Sequence, residues 1–329
     1  LYASNNQHRV KAAAMTESGD DAEFPDGDIT PTEYERQRYD LGYGFRSGQH
    51  TLQLDYGYND TGDSGTPALP MDIETIEGDL YNLSYNFDLD GELHSSLSLF
   101  GSDLDHEMTN FLLRQPPPMD RWRRNTASSD NLGFKLSTKL LDDNGATVFG
   151  FDGFSAEHDS DIDNPNNGAF FVTNFNDAQR QVLGVFLERQ QDFNAQWRGE
   201  FGIRYNHVEM DADEVDGSPA MSMDQARMLR DAFNAADRNK TDNNIDLVAK
   251  AWFKASDSSS WYAGVAQKHR SPSYQERYLW LPLEATGGLA DGNTYTGNIN
   301  LDPEVSRQIE FGLDFSNERL TLSPRIFYS

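Results

Sequence analysis

The chain has 329 residues, with 54 acidic against 27 basic side chains, a net charge of −27 and no cysteine. The charge excludes a nucleic-acid-binding role, which needs a basic face, and the missing cysteines exclude a disulfide framework or a thiolate metal site within these residues. No apolar run approaches the ~20 residues of a membrane helix, which excludes a helical membrane protein; a β-barrel stays open, because its strands show lipid on one face only.

The chain opens at Leu1-Tyr2-Ala3-Ser4, in what reads as mid-strand, with no signal-peptide pattern. From there, period-two alternation predicts about 13 strands: 1–11, 35–46, 49–59, 77–89, 92–105, 128–141, 146–157, 178–191, 195–210, 243–255, 260–270, 304–316 and 319–329. In 51–59, Leu52, Leu54, Tyr56 and Tyr58 oppose Thr51, Gln53, Asp55 and Asn59. In 80–88, Tyr81, Leu83, Tyr85 and Phe87 oppose Asn82, Ser84, Asn86 and Asp88. In 197–206, Trp197, Phe201, Ile203 and Tyr205 oppose Arg198, Glu200, Arg204 and Asn206, and 308–315 repeats the pattern. A soluble sandwich alternates too, so the strands alone leave both folds open.

The connections separate them. Tight turns fall at Ser47-Gly48-Gln49, Asp90-Gly91-Glu92, Asp142-Asp143-Asn144-Gly145, Asp192-Phe193-Asn194, Asp257-Ser258-Ser259 and Asn317-Glu318. Between them lie long polar segments at 12–34, 60–76, 106–127, 158–177, 211–242 and 271–303. Short and long connections therefore alternate, which in an up-and-down meander puts all short turns at one end and all long loops at the other. Outer-membrane barrels have that asymmetry, and a soluble domain rarely carries so many long loops. Strands of ten or more residues suit a tilted membrane strand better than the ~5–6 of soluble sheets. Tyr39, Tyr43, Tyr58, Tyr81, Trp197, Trp261 and Tyr262 fit interfacial girdles or cross-strand packing equally well. The fold expected is all-β, a transmembrane antiparallel up-and-down barrel, with residues 1–329 a partial barrel domain broken off in strands at both ends. An open sheet in lipid leaves unpaired edges, so further sequence is expected to complete it.

Few constellations carry chemistry. Met71 stands in the segment Thr66-Pro67-Ala68-Leu69-Pro70-Met71-Asp72, and Asp105-His106-Glu107-Met108 opens the next long connection. The two flank one hairpin, 77–89 and 92–105, and so can approach each other at its loop end. His106 and Met108 are i and i+2 and share a face if the segment is extended. Two thioethers with an imidazole suit Cu(I); the alternative is that Met71 and Met108 are apolar tips packing loop against loop or plug, with His106 a surface residue. Pro116-Pro117-Pro118-Met119 reads as a rigid loop rather than a fourth ligand. Met221, Met223 and Met228 lie in a short loop helix over 219–236, at a spacing typical of core. His207 and Met210 fall on opposite faces of a strand. Asp159, Asp161 and Asp163 alternate as in a calcium loop but lack its Gly and Glu, leaving a solvated acidic loop. No nucleophile elbow, phosphate loop or zinc-protease pattern occurs, so no enzyme and no catalytic cofactor are expected.

Two late stretches add a family resemblance. Arg270-Ser271-Pro272 followed by Glu276-Arg277-Tyr278, and then Gly297-Asn298 with Leu301, Pro303-Glu304, Ser306, Glu310 and Gly312, resemble consecutive signatures of TonB-dependent receptors, with Asp302 departing from the pattern. The resemblance implies a 22-stranded barrel in the outer membrane of a Gram-negative bacterium. It also implies a plug domain, which these residues do not contain, and energy from a TonB complex acting through that plug. The His-x-Met pair and the Pro-Met loop are similar to those of the copper-receptor branch. That similarity implies Met71, His106 and Met108 as ligands of copper, the transported metal, with a further ligand from the plug. The alternatives left open are a receptor for a siderophore or other organic chelate, or a passive porin-like channel.

Overall fold

The structure, a computed structural model, describes residues 1–283 and 293–329. Fifteen strands form one antiparallel sheet whose neighbours follow chain order. It begins with β1 (Tyr2–Ser4) and β2 (His8–Gly19); β3 (Ala22–Phe24) and β4 (Gly27–Ile29) form a separate small hairpin in the next connection. The sheet resumes with β5 (Tyr34–Ser47), β6 (His50–Ser64), β7 (Asp72–Leu89), β8 (Leu93–Thr109), β9 (Arg124–Asp142) and β10 (Gly145–Asp163). It continues through β11 (Phe171–Asp192), β12 (Trp197–Asp211), β13 (Lys240–Ser256), β14 (Ser259–Arg270) and β15 (Glu304–Ser316), and β16 (Thr321–Leu322) and β17 (Arg325–Tyr328) both pair with β15. Among the described residues, the two ends of the sheet do not pair with each other, so it is not closed.

Alternation sorts the side chains onto two unlike faces. On one, Leu183, Val185 and Leu187 of β11, Phe201, Ile203 and Tyr205 of β12, and Ile245 and Leu247 of β13 are all exposed. The opposite face is polar: Arg204 grips Asp152 at 2.6 Å, Lys250 pairs with Glu200 at 3.3 Å, and Ser96 bonds Ser137 at 2.9 Å. An exposed apolar band backed by a hydrogen-bonded polar face is what a barrel wall presents to lipid and to its lumen. Among the described residues no helix is long and apolar enough to cross a membrane.

The strands are inclined to that band. Register partners Leu41, Tyr56, Tyr81, Gly101 and Leu132 continue across the sheet as Ser155, Gln181 and Glu209. A hydrogen-bonded row that starts apolar and ends polar has climbed out of the band, as tilted barrel strands require. On β8 the band ends early: Leu97 and Leu99 are followed on the same face by Asp103 and Asp105, so His106 and Met108 stand beyond it.

Several expected boundaries move. The first predicted strand is two pieces, because the Asn5 side chain accepts from the backbone N–H groups of Gln7 and His8 and turns the chain there. The last is divided by Pro324, which has no N–H for the ladder. The long connections expected at 12–34, 60–76, 106–127 and 158–177 are shorter, since β2, β6 to β11 run well past the band. β11 has 22 residues, far more than the ~9–11 that span a bilayer. Beyond the lipid the regular apolar alternation of the band lapses, so hydrophobic periodicity does not mark those extensions. The expected connection 271–303 includes residues 284–292, which lie outside the described residues.

The apolar core sits at this extended end. Ile162, Val172, Phe175, Val208 and Met210 of β10–β12 are covered by helices α1 (Ser218–Ser222) and α2 (Asp224–Ala235) and by the segment 278–281. Ala220, Ala226 and Phe233 supply the buried side of the helices. Met221, Met223 and Met228 do not: Met228 is 71% exposed, and the core packing expected of these methionines is corrected. The helices use their small and aromatic residues inward and leave the thioethers to solvent.

Candidate metal site

Met71, His106 and Met108 come together in one cavity of about 300 Å3, which His158, Phe175 and Tyr274 also line. The hairpin β7–β8 accounts for the first three. Its register places Ile73 opposite Met108 and Asp72 opposite Thr109, so Met71, one residue before β7, arrives beside the end of β8. His106 and Met108 lie within β8 rather than in a loop, and extended geometry puts them on the polar face. Met71 is 4% exposed, packed at the end of the hairpin.

The approach to Met71 is held by a buried ion pair. Asp72 accepts from Arg114 Nε at 2.7 Å and Nη2 at 2.6 Å, and from the backbone N–H of Thr66 at 2.8 Å. Arg114 also donates to the carbonyls of Leu69 at 2.9 Å and Thr66 at 3.2 Å, while the Thr66 hydroxyl donates to the Met71 carbonyl at 2.5 Å. Six bonds thus fix the 66–72 turn, with one guanidinium from the following connection as its centre. Bidentate guanidinium–carboxylate geometry suits this, since it fixes orientation as well as distance.

His106 Nε2 is buried and has no hydrogen-bond partner. A buried polar atom without a partner costs stability, and a bound ligand is one explanation for its retention. Burial holds the His106 imidazole below its ordinary pKa, and nearby His158 adds to the effect. Burial also lowers His158, outweighing the Asp159 carboxylate and the Ser128 backbone. Both rings are therefore neutral near pH 7, with a nitrogen lone pair each. Neutral imidazoles and thioethers on a carboxylate-free lining form a soft donor set.

Sequence reasoning missed His158. It lies on β10, two residues from Ser160, which shares a register row with Ala127 and His106. Only the pairing of β8, β9 and β10 brings it to the cavity, so no local signal marks it. The other sequence candidates lie elsewhere. Met119 begins a short 3-10 turn and is exposed. His207 bonds Asn243 and Glu209, whereas Met210 is buried on the other face against Arg180 and Arg277. Asp159, Asp161 and Asp163 belong to β10, not to a loop; Asp163 pairs with Arg124 at 2.8 Å, and Asp159 accepts from the Asp177 backbone. Among the described residues, no group of three or more His, Asp or Glu side chains is arranged to hold a metal ion.

The two late sequence stretches meet in space. Helix α3 (Tyr274–Tyr278) starts with a capping box between Ser273 and Glu276. Arg270 pairs with Glu276 and Glu304, both at 2.8 Å, tying the helix to the start of β15. Arg277, 2% exposed, bonds both oxygens of Asp242 at 2.9 and 3.0 Å and the carbonyl of Leu301 at 2.9 Å. The Gly297 N–H donates to Leu279 at 2.6 Å; a Cβ there would stand 2.8 Å from the Arg277 carbonyl oxygen, so the approach requires glycine. These residues staple the loop end together, and they place Tyr274 against the metal-site cavity.

An inclined antiparallel meander with a lipid-type outer band, a polar inner face and a capped loop end is the wall of a membrane β-barrel. A family model described as TonB dependent receptor-like, beta-barrel matches residues 19–329, and the chain belongs to that family of outer-membrane receptors and transporters. No curated protein is detectably similar in sequence. Solved structures of similar fold include the copper transporter OprC, at 18% identity and a TM-score of 0.78 over 99% of this chain and 49% of that one. The hemophore receptor HasR of Serratia marcescens matches at 13% identity and a TM-score of 0.71, over 99% and 50%. The ferric citrate transporter FecA matches at 14% identity and a TM-score of 0.65, over 98% and 46%. The chain spans about half the length of the solved structures it matches, and at these identities the likeness is one of fold.

Proposed function

We propose that this chain is part of a TonB-dependent receptor that takes up copper actively across the outer membrane of a Gram-negative bacterium. Met71, His106 and Met108 hold the metal at the mouth of the barrel, beyond the lipid band. A TonB complex supplies the energy through a plug domain, and outer-membrane lipid surrounds the apolar face. The observation that carries the reading is the convergence of two thioethers and an imidazole with a buried, unpartnered Nε2 in one cavity.

The chemistry of the lining favours a bare metal over an organic chelate. A cavity of about 300 Å3 is at the bottom of the ~300–1,000 Å3 range of small-molecule pockets. Its named donors are soft, which suits Cu(I). The test is copper binding by the full-length receptor with Met71, His106 and Met108 replaced by alanine. The wild type binds Cu(I) in competition with a chelator, and the triple variant loses that binding; unchanged affinity in the variant overturns the reading.

A further inference from the structure

A fourth donor of the right chemistry faces the same cavity from a different hairpin. His158 stands on β10, and its ring lies against Tyr274 at a centroid distance of 4.6 Å and against Phe175 at 5.5 Å. Tyr274 and Phe175 themselves meet edge to face at 5.1 Å. Two aromatic rings on adjoining sides thus restrict where the imidazole can point. His158 and His106 line the same cavity.

We propose that His158 is a ligand of the same metal, so that two imidazoles, His106 and His158, and two thioethers, Met71 and Met108, make a complete donor set from the barrel wall alone. The inference rests on the copper reading and deepens it. The four donors come from three segments of the wall: the 66–72 turn, β8 and β10. Tyr274 is then a positioning residue: it seats the His158 ring without touching the metal. Because it belongs to α3, the stapled loop end and the metal site are mechanically continuous.

The experiment uses the full-length receptor in detergent, with Cu(I) presented in competition with a chromophoric chelator and the bound metal examined by X-ray absorption. His158→Phe keeps the aromatic packing and removes the donor; His158→Met keeps a donor and changes its type. The wild type shows two imidazole nitrogens and two sulfurs. His158→Phe binds at least tenfold more weakly, within the ~10–100-fold range of lost support at metal sites, and shows one imidazole fewer. His158→Met recovers affinity and shows a third sulfur. Wild-type affinity together with an unchanged imidazole count in His158→Phe overturns the role of His158 and leaves the three-ligand copper reading standing. A wild type that takes no Cu(I) from the chelator overturns both. Thermal unfolding of each variant shows that the fold is retained.

Discussion

Arg114 reaches back to Asp72 with two hydrogen bonds of 2.7 and 2.6 Å, so one loop of the barrel mouth positions the methionine carried by another. Asp72 is 1% exposed, and two of its three hydrogen bonds come from that guanidinium. The pair is therefore a structural lock on the 66–72 turn and, through it, on Met71.

Replacing Arg114 with alanine leaves a buried carboxylate unpaired, which typically costs about 3–5 kcal/mol. The turn at 66–72 should exchange its amide hydrogens faster and become a protease site, while the strands stay intact. Copper affinity should fall although no ligand is altered. Hydrogen exchange over 66–72, read beside chelator competition, checks both effects; unchanged exchange there contradicts the lock.

Metal binding should resist mild acid. Both His106 and His158 are lowered from 6.5 by burial, so protons compete with the metal only below the value at which a solvated histidine would begin to lose it. The same sign applies to stability: the unfolded chain takes up protons near pH 6.5 while the folded rings stay neutral. Their contribution is thus complete above 6.5 and is lost as pH falls from there through the lowered folded values. Chelator competition between pH 7.5 and 5 should show a flat region extending below 6.5. A midpoint at or above 6.5 would falsify the buried-neutral assignment.

Arg277 and Asp242 form a second buried pair, 2% and 7% exposed at the side chain. Arg277→Ala should destabilise the loop end by about 3–5 kcal/mol, releasing helix α3 from Leu301 and loosening Tyr274 at the metal cavity. The barrel itself should remain folded, because its ladders do not depend on this contact. Trypsin sensitivity in the 271–283 segment, with unaltered heat-modifiable migration of the barrel on a gel, is the expected pair of results.

The two faces of the sheet should respond oppositely to charge. Val185→Arg puts a guanidinium in the exposed apolar band of β11 and should cost about 2–4 kcal/mol near the bilayer midplane. Ser98→Arg places the same group on the polar face beside Asn82 and should be nearly neutral. Denaturant titration of each variant folded into vesicles measures the difference. Equal costs would mean that the faces have been assigned to the wrong sides.

How much was legible beforehand follows from where each signal resides. Alternation is local, since successive side chains of a strand point to opposite faces whatever surrounds them. The strand cores, the lipid-type band and the shared face of His106 and Met108 could thus be read directly. The extensions of β7 to β11 could not, because outside lipid the outward face no longer carries a regular apolar row and the period disappears. Met221, Met223 and Met228 misled for a related reason: helical spacing says that residues share a face, not which way the face turns.

The site shows the same division. The sequence by itself determined the antiparallel meander, the membrane-type wall, the family signatures at 270–278 and 297–312, and three soft donors at one hairpin end. The tertiary structure alone decided that Arg114 locks Asp72, that the two signatures interlock through Arg277 and Gly297, and that His158 lines the same cavity as His106. Those relationships depend on strand register and on loops folded over the polar face, which join residues tens of positions apart. Local periodicity carries no record of such pairings, because they are settled only when the strands align and bury the end of the sheet.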